Sequence, residues 1–210
     1  MARYTSAVCK LCRREQTKLF IKGDRCYSNK CSLDRGSSLP GKNAKSVRVK
    51  KLTTYGIRLR EKQKLRRFYG LLERQFQNYF ERAERKKGIS GDNLLELLER
   101  RLDNIIYRLG LAKSRIQARQ LVLHGHILVN GKKVNIPSYE VKIDDIIEVK
   151  EKSKVIMDFK DIQEGKVEIN IPSWLEFDPE KLKGKILRFP TKEELNLPVD
   201  EKLVVEYYSR

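Results

Sequence analysis

Histidine, tryptophan and methionine are scarce in this chain of 210 residues, with 2, 1 and 2 copies. Two histidines leave little material for general-base chemistry or imidazole ligation of a metal. No GxxxxGK[ST], GxGxxG or GxSxG motif is present, nor any HxE followed by PCxxC, which removes familiar signatures of nucleotide, dinucleotide, acyl and nucleobase chemistry. Carboxylates are plentiful, but no pair stands out by its spacing. No window approaches the roughly 18 apolar residues that cross a bilayer, and the opening MARYTSAVCK lacks the apolar run of a secretory signal. These absences argue for a reducing, cytoplasmic setting and against an enzyme.

Acid is missing from one part of the chain only. Residues 1–90 hold 25 Lys and Arg against 7 Asp and Glu, whereas residues 91–210 hold 21 of each. The whole formal charge of +18 therefore sits in the first part. A field of that size attracts a polyanion, and counterion release from nucleic acid supplies much of the binding free energy. Anionic membrane is the other polyanion, but no basic amphipathic segment presents a bulky apolar face for insertion. With 40% apolar and 35% charged residues, the composition is that of a folded, charge-rich protein.

Cysteine is absent after residue 31. Cys9, Cys12, Cys26 and Cys31 are spaced C-x2-C, thirteen residues, then C-x4-C. Two short thiol-bearing turns joined by a loop suit tetrahedral zinc, and four cysteines fill every position, so one Zn2+ here would be structural. An iron–sulfur cluster fits the same ligand count, and a disulfide pair or free thiols are the weaker readings. Residues 1–45 carry no sustained period and read as loops around this centre, in which Arg3, Lys10, Arg13, Arg14, Lys22, Arg25, Lys30 and Arg35 would face RNA or DNA.

From Thr53 the pattern turns helical. Arg58, Lys62 and Arg66 recur every four residues as a phosphate-facing stripe beside Arg67, while Ile57, Leu65 and Phe68 mark the core side. A second helix is expected from Leu71 to Lys87. A third, capped by Asp92 or Asn93, carries one apolar stripe from Leu95 to Leu109 before Gly110 ends it. A short helix follows in SRIQARQLVLHG, with Ser114 and Gln117 at capping-box spacing and Gly125 as its stop. Asn130-Gly131 then predicts a tight hairpin, Ile146 begins a third strand, and KILRF and LVVEYY read as late short strands. Ser114, Arg115, Arg119, Gln120, His124, His126, Asn130, Lys132 and Lys133 form a polar surface over this helix and hairpin that suits RNA. An ordinary solvated face is the competing reading.

The stretch from Glu99 to Val149, ERRLDNIIYRLGLAKSRIQARQLVLHGHILVNGKKVNIPSYEVKIDDIIEV, resembles the small RNA-binding module first recognised in small-ribosomal-subunit protein four. MARYTSAVCKLCRRE, YGIRLREKQKLRRFYGLLERQFQNYF and EKLVVEYYSR resemble the bacterial, zinc-binding form of that family over nearly the full length. The resemblance implies an α+β fold: a mainly helical domain (46–98 and 151–210), an inserted module of helix-turn-helix plus short antiparallel sheet (99–150), and a loop-rich zinc-binding extension (1–45). It implies a non-catalytic primary binder of small-subunit ribosomal RNA that nucleates assembly of the 5′ domain, contributes to translational accuracy and sits in the small ribosomal subunit. Its implied partners are that RNA at a 5′-domain junction, neighbouring proteins five and three, and messenger RNA near its entry path, with no membrane and no small-molecule substrate. The basic stretch holding Lys42, Lys45, Arg48, Lys50 and Lys51 would lie near that path. Gly41-Lys42-Asn43-Ala44 stands where the family usually has Gly-Gln-His-Gly, and the lysine keeps the charge. An RNA-modifying enzyme with the same module, or a free-standing RNA regulator, is the alternative.

Overall fold

The computed structural model describes residues 3–36, 38–41, 51–167 and 169–209. Two units are present: residues 1–94 with 196–210, and residues 95–195.

In the first unit, α1 (Cys9–Glu15) and a 3₁₀ turn (Gly23–Cys26) organise the cysteine segment, which was expected to be loop throughout. Leu19, Cys12, Cys26 and Cys31 are buried there, a small apolar centre that lets a seven-residue helix persist. Helix α2 (Thr54–Phe68) starts where Thr53 Oγ1 accepts from the Gly56 N–H at 3.1 Å. Leu65 and Phe68 on α2 and Phe76, Phe80 and Ala83 on α3 (Glu73–Glu84) are buried. Asn93 does not cap the helix it was assigned to. Its amide donates to the carbonyls of Ala83, Lys86 and Lys87, closing the C-terminal end of α3, and α4 (Ser90–Glu99) begins earlier.

The expected final strand is α8 (Glu201–Tyr208). Asp200 Oδ1 accepts from the Lys202 N–H at 2.9 Å, and Tyr208 stacks on Phe80 with ring centroids 4.4 Å apart. A cap and a helical-period contact override the β-branched composition of LVVEYY, because strand preference depends on having a sheet to pack in.

In the second unit, the expected single helix from Leu95 to Leu109 is broken. Arg101 forms an isolated antiparallel bridge with Glu140, the Leu102 N–H bonds to the Tyr139 carbonyl at 2.9 Å, and α5 runs only from Leu102 to Arg108. α6 (Arg115–Leu123) starts as expected, with Ser114 Oγ accepting from the Gln117 N–H at 3.3 Å. β1 (Ile127–Val129) and β2 (Lys132–Lys133) flank Asn130 and Gly131, both at positive φ, the geometry a two-residue hairpin requires. β3 (Ile146–Val149), α7 (Met157–Gln163), β4 (Leu175–Asp178) and β5 (Lys183–Ile186) follow. The antiparallel sheet has the order β2-β1-β3-β5-β4. Because β5 pairs with β3, residues expected in the helical domain group instead with the module, and the unit reaches residue 195. Ile105, Ile106, Leu109, Val122, Ile127, Ile147, Phe159, Trp174 and Ile186 share its core.

Candidate nucleic-acid interface

The α2 cations expected as a phosphate stripe are ion-paired with acids on neighbouring helices. Lys62 is 2% exposed and bonds Glu73, Arg58 Nε meets Glu206 Oε2 at 2.7 Å, and Arg66 bonds Gln63 at 2.9 Å and lies 3.5 Å from Glu73. The physical reason is a supply of acid on α3 and α8 that the α2 pattern alone does not reveal. Burial pulls the Glu73 carboxyl up, but the Lys62 ammonium, Arg66 and the Tyr208 hydroxyl outweigh it and leave the group below its ordinary value. Arg67 also points inward, to a shared oxygen of Glu15 that Arg60 reaches at 3.2 Å. Glu15, a residue the sequence reading did not single out, therefore ties α1 to α2. No local signal marks it, since its partners lie 45 and 52 residues away.

Charge that is available to a partner lies in the extension. Lys10, Arg14, Lys22, Arg25 and Lys30 are exposed, and none forms an ion pair among the described residues. Arg3 and Lys51 are exposed as well. Arg13 and Arg35 are partly spent on chain geometry, donating to the Ser38 and Asn29 carbonyls. Lys42, Lys45, Arg48 and Lys50 lie outside the described residues.

The four thiols stand in one electrostatic neighbourhood. Burial raises the Cys12 thiol, a hydrogen bond from the Leu19 backbone opposes that, and Cys26, Cys9 and Cys31 each raise it further. The Lys22 N–H donates to Cys26 Sγ at 3.3 Å. This donor set fits a soft, closed metal centre in its chemistry. Among the described residues, however, no group of three or more His, Cys, Asp and Glu side chains has metal-holding spacing.

In the second unit, Arg115 and Arg119 were expected on an RNA-facing helix surface, yet they are 8% and 9% exposed. Arg115 Nε donates to Asn104 Oδ1 at 2.8 Å, and its guanidinium lies 4.4 Å from the Tyr107 ring centroid. Asn104 donates to the buried Glu99, which also receives Arg108 through two bonds at 2.8 and 3.0 Å. Arg119 joins Asp103, which Arg101 grips bidentately at 2.7 and 3.0 Å. Glu99 at the end of α4 and Asp103 in the first turn of α5 are the acids around which these arginines are buried. Ser114 and Asn130 are structural too: one caps α6, the other bonds Asp145 and the Ile146 N–H and so joins the hairpin to β3.

Gln120, His124, Lys132 and Lys133 remain exposed, and His126 is half-buried. They form one polar edge at the end of α6 and the hairpin. Lys150 and Ser153 belong to this edge as well, although no motif announces them: the Lys150 N–H bonds the His126 carbonyl at 2.9 Å, and Ser153 Oγ lies 2.9 Å from His126 Nδ1. No helix among the described residues is long and apolar enough to cross a membrane.

Residues 3–99 match the model for the ribosomal protein S4/S9 N-terminal domain, and residues 100–147 match the S4 domain. Relatives called small ribosomal subunit protein uS4 align along their whole length with all of this chain. The one from Desulforamulus reducens is 55% identical over 210 residues, that from Ruminiclostridium cellulolyticum 56% over 213, and that from Syntrophus aciditrophicus 56% over 210. With residues 3–147 matched by these two models and its full length by these relatives, the chain belongs to the small ribosomal subunit protein uS4 family.

Proposed function

We propose that the chain is a non-catalytic structural protein of the small ribosomal subunit that binds its RNA. The observation that carries this reading is the set of unneutralised cations on the cysteine-bearing extension, Lys10, Arg14, Lys22, Arg25 and Lys30, in a family whose name is ribosomal. Such charges position a duplex or junction through phosphate and do not read its bases. A second set, Gln120, His124, His126, Lys132 and Lys133, gives the RNA a second foothold. Two footholds on one chain can hold an RNA junction folded, and that supports a role in nucleating the 5′ domain of the subunit. Contact with proteins five and three, an effect on accuracy and proximity to the messenger entry path extend the same reading.

The four cysteines, on this reading, hold one structural Zn2+. The ion would supply rigidity and no chemistry, adding to a small apolar centre and so fixing the extension's cations. The test is a filter-binding titration against a transcript of the 5′ domain of small-subunit ribosomal RNA. Affinity should fall steeply with salt, and Lys22→Gln or Arg25→Gln should each lower the slope by about one phosphate contact, 0.7–0.9 in log K against log salt. An affinity independent of salt refutes the function. Metal analysis runs beside it: zinc well below one per chain in reducing buffer, or unchanged in Cys26→Ser, refutes the metal site alone.

A further inference from the structure

Gly125 ends α6 at a φ of 72°, and the tight reversal places the His124 and His126 rings 6.0 Å apart between centroids. Lys133, on β2, lies across that glycine: a methyl group added to Gly125 would stand 2.8 Å from its Nζ. Lys150, just past β3, gives its backbone N–H to the His126 carbonyl, and its charge, like that of Lys133, acts on the His126 ring. Four basic groups from three separate elements thus converge on one backbone turn. Neither Lys133 nor Lys150 forms an ion pair among the described residues. The nearby acids are committed or set apart: Glu151 bonds Lys154 at 2.5 Å, and the β3 residue Glu148 is registered opposite Lys183 and is separated from Lys133 by Leu128. The two lysine charges, set beside imidazoles and away from free acid, favour an anion at this turn.

We propose that His124, His126, Lys133 and Lys150 form a phosphate niche around Gly125, completed by protonation of His126, so that binding an internucleotide phosphate of RNA takes up a proton. This rests on the RNA-binding reading and adds to it a site and a linked proton. Ser153 is the positioning residue. Its buried hydroxyl faces His126 Nδ1, and when it accepts from Nδ1–H it leaves Nε2 as the atom that titrates. Burial, then His124, Lys150 and Lys133, hold the free imidazole below its ordinary value. It is therefore neutral in the free protein near pH 7 and has a proton to gain. A bound phosphate monoanion reverses the local field and raises the His126 pKa, so the complex holds more protons than the free protein. Affinity then rises as pH falls through the window between the two values and is flat above it.

The test uses the full-length protein and the 5′-domain transcript at fixed ionic strength from pH 8.5 to 5.5. Affinity should rise at least about fivefold between pH 8 and pH 6, and His126→Gln should abolish the rise while retaining binding at pH 8. NMR titration of both histidine rings in the unmutated protein guards against a folding defect in the variant: inorganic phosphate, but not chloride at equal ionic strength, should raise the His126 midpoint. RNA affinity that is flat with pH, with the His126 midpoint unmoved by phosphate, overturns the niche and leaves RNA binding standing. A midpoint moved by phosphate with flat RNA affinity overturns its assignment to RNA. Absence of RNA binding at every pH overturns the functional reading, and the phosphate titration then decides the niche by itself.

Discussion

Arg115 separates two physical pictures of the same helix. On the surface it would be a phosphate ligand; in this structure its guanidinium spans Asn104 and the Tyr107 ring inside the unit. Arg115→Ala removes a charge-assisted hydrogen bond worth about 1.5–3 kcal/mol and a desolvated cation–π contact worth about 2 kcal/mol. The two share one side chain and are not additive, so the expected loss is about 3 kcal/mol. With a urea m-value of about 2 kcal/mol/M, the unfolding midpoint should drop by about 1.5 M. Arg115→Lys should lose most of the same stability, because an ammonium keeps the charge but not the planar fork. Under conditions where the variant is folded, its slope of log K against log salt should match the parent's. A midpoint within about 0.3 M of the parent, with a slope lowered by about 0.7–0.9, would falsify the internal assignment and restore Arg115 to the RNA surface.

Two further perturbations probe the fold itself. A Cβ on Gly184 would lie 2.7 Å from both Leu109 methyl groups, so Gly184→Ala should cost about 1–3 kcal/mol and lower amide protection in β3 and α5; unchanged protection there would detach β5 from the module's core. For Glu73 the folded pKa lies below the ordinary 4.5, so the unfolded chain takes the proton first. Its contribution is present above about pH 4.5 and is lost as pH falls through the folded value. Hydrogen exchange in α8 should accelerate through that range in the parent and less so in Glu73→Gln, whereas equal acceleration in both would show that the contact is not coupled to α8.

Signals contained within four or five residues survived folding. Ser114 caps α6, Thr53 precedes α2, and Asn130-Gly131 turns the hairpin, because each depends on a side chain or a φ angle satisfying its immediate backbone. The cysteine spacing and the charge imbalance were equally plain, being properties of order alone. Helical spacing of cations, by contrast, said that Arg58, Lys62 and Arg66 share a side without saying what that side meets. The answer came from Glu73 and Glu206 on other helices.

By itself, then, the sequence determined the family resemblance, the basic extension with its four thiols, the local caps and turns, and the presence of a short helix followed by a hairpin. Tertiary structure alone decided the break at Arg101, where pairing to Glu140 interrupts a continuous apolar stripe, and the helical state of LVVEYY, where Asp200 caps the first turn and Phe80 offers a stacking partner. It also decided which arginines are buried and which groups converge on Gly125. The physical reason is shared: ion pairs, strand register and desolvation join residues that are distant in the chain, and their energies depend on what surrounds each group once the chain has closed.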